Sequence, residues 1–229
     1  MNVGALQKFS LIEYPGRICA IVFTQGCNFR CPYCYNRELV DTESFRHPID
    51  ENSLFAFLEK RKGRLDAVTI TGGEPTLQPD LIPFIERLKE MKYLVKIDSN
   101  GSCPEVLEAL LRLKLVDYVA MDVKGPLEKY PKIANTKLSP EKINQSINLI
   151  MSSGVDYEFR TTVVRSQLNL EDLFEIGQLI RGAKLYALQK FIPSKPLDPE
   201  FQDEAAYGDD EFGPMAEAIR TLVKQVILR

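Results

Sequence analysis

Six short apolar runs are spaced along the chain: residues 18–23 (ICAIVF), 65–70 (LDAVTI), 93–97 (YLVKI), 116–121 (VDYVAM), 157–164 (YEFRTTVV) and 185–191 (LYALQKF). They are brief and rich in β-branched or aromatic residues, which predicts strands. The first is apolar nearly throughout, as a parallel strand buried on both faces would be. Between the runs, apolar residues recur at spacings of three and four, which predicts helices. Leu54, Phe55 and Leu58 share one face, and Leu81, Ile85 and Leu88 another. A third helix carries Val106, Leu107, Leu110 and Leu111. A fourth opens at Ser139 as N-cap with Pro140 in the first helical position, and buries Ile143, Ile147 and Ile150. A fifth follows Asn169 and buries Leu173, Ile176 and Ile180. The last is expected over residues 211–228, with Met215, Ile219, Leu222 and Val226 on one face.

Six βα units in alternation imply right-handed crossovers and a parallel sheet. Six are too few to close the usual eight-stranded barrel. The expected fold is therefore α/β, an open partial (β/α)6 barrel of parallel strands, in one domain over residues 1–229. A flat doubly wound sheet competes with it. Residues 193–210 form the longest irregular stretch, with Pro193, Pro196 and Pro199, and suit a loop over one end of the barrel.

Composition narrows the function. The 29 basic and 32 acidic residues leave a net charge of −3, so neither a nucleic-acid partner nor a membrane partner is expected. No apolar run approaches the ~20 residues that span a bilayer. The segment MNVGALQKFSLIEYPG lacks a charged region followed by an apolar one, so no signal peptide is expected. Of five cysteines, Cys27, Cys31 and Cys34 are clustered. An odd count with a cluster argues against a disulfide framework and for a metal or redox site in the cytoplasm.

The cluster reads CNFRCPYC, in a loop directly after the first strand. Thiolates are the standard ligands of iron–sulfur clusters. A compact loop can hold three corners of a [4Fe–4S] cubane and leave the fourth iron open. Three unrelated buried cysteines compete with this reading, as does a Cys3His zinc site using His47. TGGEP, residues 71–75, follows the second strand, and its glycines let backbone approach a ligand closely. KIDSNG, residues 96–101, ends the third strand and puts Asp98, Ser99 and Asn100 at its mouth; an Asx-rich turn is the plainer reading. MDVKG, residues 121–125, ends the fourth, with Asp122 and Lys124, which could also be a surface ion pair. Arg160 is a charge inside a strand and needs a partner, either a ligand carboxylate or an internal salt bridge. The four loop motifs all fall at the C-terminal face of a parallel barrel, where βα-loops build active sites.

C-x3-C-x-(aromatic)-C, with Tyr33 as the aromatic, resembles the signature of the radical S-adenosylmethionine superfamily. The resemblance implies that S-adenosylmethionine chelates the open iron. It is then split by one electron to a 5′-deoxyadenosyl radical that abstracts hydrogen. It also implies that Gly72, Gly73 and Glu74 accept or orient the ligand's amino group. KIDSNG and MDVKG resemble the Asp-Thr-Asn-Gly and Asp-x-Lys segments of glycyl-radical-enzyme activases, which implies that Lys124 meets the ligand's carboxylate and that Asp98 with Asp122 can hold a monovalent cation. Residues 8–41 further resemble the activating enzymes of glycyl radical enzymes, most of all the activating protein of anaerobic ribonucleoside-triphosphate reductase. That implies a glycyl radical enzyme partner of the anaerobic ribonucleotide reductase type and a flavodoxin or ferredoxin reductant. Glu13, near one rim of the lateral opening, would hydrogen-bond the partner's loop. The short chain leaves no room for an inserted ferredoxin domain.

Three positions depart from the family pattern. Tyr35 follows the last motif cysteine where these activases often have His. Glu13 stands where Asp is usual. Phe191 falls near where some relatives carry a His that touches the ribose. A small-molecule radical enzyme of the 7-carboxy-7-deazaguanine synthase type is the main alternative. An iron–sulfur electron carrier and a zinc-binding scaffold follow. Cys19, inside the first strand, is read as core, and Cys103, beginning a helix, as a bystander thiol.

Overall fold

The structure is a computed structural model that describes residues 1–229. In chain order the elements are β1 (Val3–Ser10), β2 (Cys19–Thr24), α1 (Arg37–Val40), α2 (Glu51–Lys60), β3 (Ala67–Gly72), α3 (Leu81–Glu90), β4 (Leu94–Ser99), α4 (Pro104–Arg112), β5 (Tyr118–Asp122), α5 (Tyr130–Ile133), α6 (Pro140–Ser152), β6 (Asp156–Val163), α7 (Leu170–Leu179), β7 (Tyr186–Lys190), α8 (Asp209–Ile219) and β8 (Val226–Leu228). They build one eight-stranded sheet in the order β1 to β8. β2 through β8 are parallel, and β1 lies antiparallel to β2. The order never reverses, so there is no switch point and the doubly wound alternative falls. Right-handed crossovers in an unreversed order lay every helix on one face. The sheet curls inside them and stays open between β1 and β8.

Strand alternation sorts the residues. Ala20, Val22, Val68, Ile70, Val95, Ile97, Val119 and Met121 face the helices and join a core of 49 buried residues. α3 adds Leu81, Phe84, Ile85 and Leu88, and α6 adds Ile143, Ile147 and Ile150. α7 starts at a capping box, where Asn169 and Asp172 exchange side-chain and backbone bonds. The other set of positions points into the curl. Cys19, Ile21, Ala67, Tyr118 and Ala120 form a small apolar plug with Tyr14. Above it, toward the C-terminal strand ends, the same alternation turns polar: Lys96, Asp98, Asp122, Glu158 and Arg160. This polar layer is the floor of the site.

Two elements differ from the sequence expectation. β1 was not expected as a strand; its outer half is exposed and its apolar alternation is broken. The helix expected over residues 211–228 stops at Ile219, and Val226–Leu228 forms β8, paired with Tyr186–Leu188 of β7. Leu222 and Val226 satisfy helical spacing, yet a short apolar run with β-branched residues fits an open sheet edge equally well. No helix is long and apolar enough to cross a membrane.

Candidate functional site

The C-terminal strand ends surround a cavity of about 410 Å³. It is lined by Cys27, Cys31 and Cys34, by Tyr33, by Gly72, Gly73 and Glu74, by Asp98, Ser99 and Asn100, and by Asp122, Lys124 and Arg160. Glu13 does not line it. It sits in the β1–β2 turn, at the N-terminal end of β2. The length of that strand, roughly 17 Å at 3.3 Å per residue, separates it from the cysteine loop. Glu13 adjoins β1, one of the two strands that border the lateral opening, at the end away from the cavity.

The cysteine loop is fixed by its backbone. Gly26 N–H donates to the Leu39 carbonyl (2.8 Å), Arg30 N–H to that of Ala134 (2.9 Å) and Cys34 N–H to that of Cys31 (3.1 Å). The Arg30 guanidinium donates to the carbonyls of Cys27 (2.6 Å) and Phe29 (2.8 Å). All five cysteines are free thiols. Burial, with the Glu74 charge behind it, pushes Cys27 up to about 12. Burial also pushes Cys31 up to about 11 and raises Cys34. A bound cation reverses this logic, because it stabilises the thiolate directly. Cys27 Sγ accepts from Phe29 N–H (3.4 Å) and Asn100 Nδ2 (3.8 Å).

No three His, Cys, Asp or Glu side chains converge on a single ion position, and His47 is exposed and outside the cavity. A Cys3His zinc site therefore lacks its geometry. A cubane spreads three thiolates over three irons and does not need such convergence. The residues present fit that group: three free thiols on one wall, and a buried Tyr33 hydroxyl with no hydrogen-bond partner.

The glycines explain how the loops meet. Gly72 has φ +114°, and a Cβ there would lie 2.6 Å from the Thr24 backbone. A Cβ on Gly73 would collide with the Gly26 carbonyl, which accepts the Glu74 N–H at 2.7 Å. Only glycine permits this contact between the TGGEP and cysteine loops. The Glu74 carboxylate is fully buried. Its Oε1 accepts from Thr76 N–H (3.1 Å), Thr76 Oγ1 (2.6 Å) and Ser99 Oγ (2.9 Å), and its Oε2 from Asn100 N–H (2.6 Å). Both oxygens are thus engaged in tying the loop after β3 to the end of β4. What Glu74 still offers a ligand is its backbone.

A chain of charges crosses the floor. Lys96 pairs with Asp98, Asp98 with Arg160 (3.2 Å), Arg160 with Asp122 (2.8 Å) and Asp122 with Lys124 (2.9 Å). Burial alone would raise both carboxyls, but Arg160 with Lys96 or Lys124 holds Asp98 and Asp122 below the usual range. Asp122 in turn keeps Lys124 charged against its burial. The place between Asp98 and Asp122 expected for a monovalent cation is taken by the Arg160 guanidinium. Glu158 extends the chain, bound by Arg229 at 2.9 and 2.7 Å. Four cations (Lys96, Lys124, Arg160, Arg229) and three acids (Asp98, Asp122, Glu158) make up this chain, and the buried Glu74 carboxylate stands on the same cavity.

Lys96, Glu158, Thr162, Gln189 and Arg229 were not singled out from sequence. For Lys96, Glu158 and Thr162 the signal was period two: K-x-D at residues 96–98 and E-x-R-x-T at residues 158–162 put polar groups on one strand face. Phe191 is fully buried, outside the cavity, and stacks on Tyr35 (6.1 Å between centroids). The Tyr35 hydroxyl accepts the Ile192 N–H at 2.7 Å. Tyr35 and Phe191 thus form an aromatic pair that joins the cysteine loop to the end of β7.

A family model described as the Radical SAM superfamily matches residues 21–180. The chain belongs to the radical SAM superfamily. Members of this superfamily use a [4Fe–4S] cluster and S-adenosylmethionine. Among its relatives is a Methanocaldococcus jannaschii protein named "Putative glycyl-radical enzyme activating enzyme MJ1227". It is 34% identical over 237 residues, covering 99% of this chain and 95% of that one. A Thermococcus kodakarensis 7-carboxy-7-deazaguanine synthase is 26% identical over 216 residues, covering 83% of this chain and 82% of that one. The structure of Streptococcus suis SuiB bound to S-adenosylmethionine matches with a TM-score of 0.67 at 14% identity. That match covers 89% of this chain and 48% of SuiB.

Proposed function

We propose that this radical SAM protein activates a glycyl radical enzyme. The observation that carries the site reading is the pairing on one cavity of a three-thiol wall with the cations Lys124 and Arg160. Cys27, Cys31 and Cys34 hold a [4Fe–4S] cluster. Lys124 and Arg160 hold the carboxylate of S-adenosylmethionine, and the backbone of Gly72 to Glu74 receives its amino group. When bound, the cluster supplies one electron, so that S-adenosylmethionine yields methionine and a 5′-deoxyadenosyl radical. The cavity then presents that radical to a glycine Cα–H of the partner. The products are 5′-deoxyadenosine and a glycyl radical. A glycine-bearing loop can enter through the gap between β1 and β8, because glycine lets it turn tightly without a side chain in the way.

The activase reading is supported by similarity along nearly the whole chain to a relative of that name, at higher identity than to the deazaguanine synthase. The partner we propose is an anaerobic ribonucleotide reductase, and the reductant a flavodoxin or ferredoxin. The test is anaerobic reconstitution with iron and sulfide. The protein is then reduced and mixed with candidate glycyl radical proteins. A glycyl radical signal by electron paramagnetic resonance, matched by methionine release, is expected with the reductase. A radical on another glycyl radical enzyme would reassign the partner. Turnover of a deazaguanine precursor with no glycyl radical would reject the activase.

The carboxylate contact has its own test. A charge-assisted hydrogen bond contributes about 1.5–3 kcal/mol. Lys124→Ala is therefore expected to weaken S-adenosylmethionine binding roughly 10- to 100-fold, with iron content unchanged. Calorimetry on the reconstituted variant reads this directly. Wild-type affinity would remove Lys124 from the ligand.

A further inference from the structure

We propose that Arg229 is a positioning residue: by neutralising Glu158 it keeps Arg160 directed at Asp98, Asp122 and the cavity. This rests on the reading that Lys124 and Arg160 hold a ligand carboxylate.

Glu158 and Arg160 lie two residues apart on β6, so their side chains share the inner face of the sheet. Glu158 is almost fully buried. Its carboxylate has three neighbours: Arg229 with two hydrogen bonds, the Tyr118 hydroxyl at 3.4 Å and the Arg160 guanidinium at 4.0 Å. Arg160 already binds Asp122 at 2.8 Å and Asp98 at 3.2 Å. Three carboxylates thus compete for one guanidinium, and the outcome depends on who else serves Glu158.

Arg229 serves it, and its own place is fixed. Its N–H donates to the Leu188 carbonyl (2.9 Å), and its backbone oxygen accepts from Lys190 N–H (2.8 Å). With the backbone fastened to β7, the guanidinium reaches across to β6 and lines the cavity beside Arg160. Two parallel N–H···O bonds satisfy the carboxylate in the geometry that favours arginine over lysine. Take Arg229 away, and a buried carboxylate is left with a tyrosine hydroxyl and a guanidinium 4.0 Å distant. An unpaired buried charge is costly, so Arg160 turns toward Glu158 and loosens its hold on Asp98 and Asp122. Arg229 need not touch the ligand to change its binding.

The test is a double-mutant cycle read by calorimetry of S-adenosylmethionine binding to the anaerobically reconstituted protein. Iron content and the melting temperature of the cluster-free protein are followed alongside. Arg229→Ala is expected to weaken binding about 10-fold, a coupling usual for residues in one network. Arg229→Lys, which keeps the charge but not the fork, should lose less. The decisive variant is Glu158→Gln with Arg229→Ala. Once Glu158 carries no charge, Arg160 has nothing to be drawn to, and affinity should return to within about twofold of Glu158→Gln alone. An equal 10-fold loss in the Glu158→Gln background would overturn the proposal, since Arg229 would then contact the ligand itself. A lowered melting temperature with wild-type affinity would overturn it too, leaving Arg229 a structural brace. Lys124→Ala separates the two layers. If that variant binds normally, the carboxylate reading fails and this proposal with it. If it binds weakly while Arg229→Ala binds normally, only this proposal fails.

Discussion

Alanine at Cys27, Cys31 or Cys34 is expected to remove the broad iron–sulfur absorbance of the reconstituted protein, or to leave a cluster lost on desalting. Cleavage of S-adenosylmethionine should fall below detection. The reason is geometric. These are the only cysteines that line the cavity, and the only histidine, His47, is exposed elsewhere. No spare thiol can take over an iron that loses its ligand. The loop itself should survive the change, because it is held mainly by the backbone bonds of Gly26, Arg30 and Cys34 and by the Arg30 guanidinium, with only long contacts to the Cys27 thiol. The variants should therefore fold, and the loss should be one of metal.

Two further cysteines serve as controls. Cys19 is fully buried in the apolar plug, its Sγ 3.6 Å from Thr69 Oγ1, a strand length from the cavity. Cys103 caps α4 and does not line the cavity. Cys19→Ala is expected to cost about 1 kcal/mol through a small core void, and Cys103→Ala less. Both should keep full iron content and full cleavage. Full iron and activity in Cys31→Ala would end the cluster assignment.

The parallel strands and the loops that line the cavity were legible because their signals are local; the order of the strands, which excludes the doubly wound sheet, was not. Apolar runs mark β2 to β7, and each motif directly follows one of them. What stayed hidden depends on pairing across the sheet. β1 and β8 are edge strands, held on one side only, so their sequences need no continuous apolar face. Residues 226–228 satisfy helical spacing and strand pairing alike, and β7 decides between them. The roles of charged residues were hidden for the same reason. Arg160 was recognisable as a charge in need of a partner. That the partners are Asp98, Asp122 and Glu158 follows only once β4, β5 and β6 lie side by side. Glu13 was legible only in part: its motif is local, but the end of the barrel it occupies is set by the direction of β2.

Glu74→Gln is expected to destabilise the protein by about 3 kcal/mol. For a chain of this length that is roughly 6–12 °C in melting temperature. The substitution changes one atom's chemistry and almost no volume, so the effect isolates hydrogen bonding. Oε1 receives the Thr76 N–H and Oε2 the Asn100 N–H. Neither backbone donor can be turned around. The Thr76 and Ser99 hydroxyls can rotate to accept, but a glutamine amide must still point its NH2 group at one of the two backbone N–H groups. Whichever way it flips, one donor faces another, and a buried N–H goes unsatisfied. An opposing effect exists: burial raises the Glu74 carboxyl, so removing the charge relieves some desolvation. Burial outweighs the four hydrogen bonds in the carboxyl's own titration, so the loss rests on geometry: even a neutral carboxyl keeps an acceptor oxygen toward each backbone donor, whereas glutamine sets an NH2 group against a fixed N–H, and that clash cannot relax without moving a loop. Either loop that yields carries the site with it. Gly73 rests against Gly26 at the root of the cysteine loop, and Asn100 reaches Cys27 Sγ. A displacement of ~1 Å can cost ~100-fold in rate, so S-adenosylmethionine cleavage should fall by about that factor even where iron is retained. Thermal unfolding of the cluster-free protein and methionine release by the reconstituted one read the two effects separately. A wild-type melting temperature in Glu74→Gln would mean that the carboxylate does not tie the two loops together.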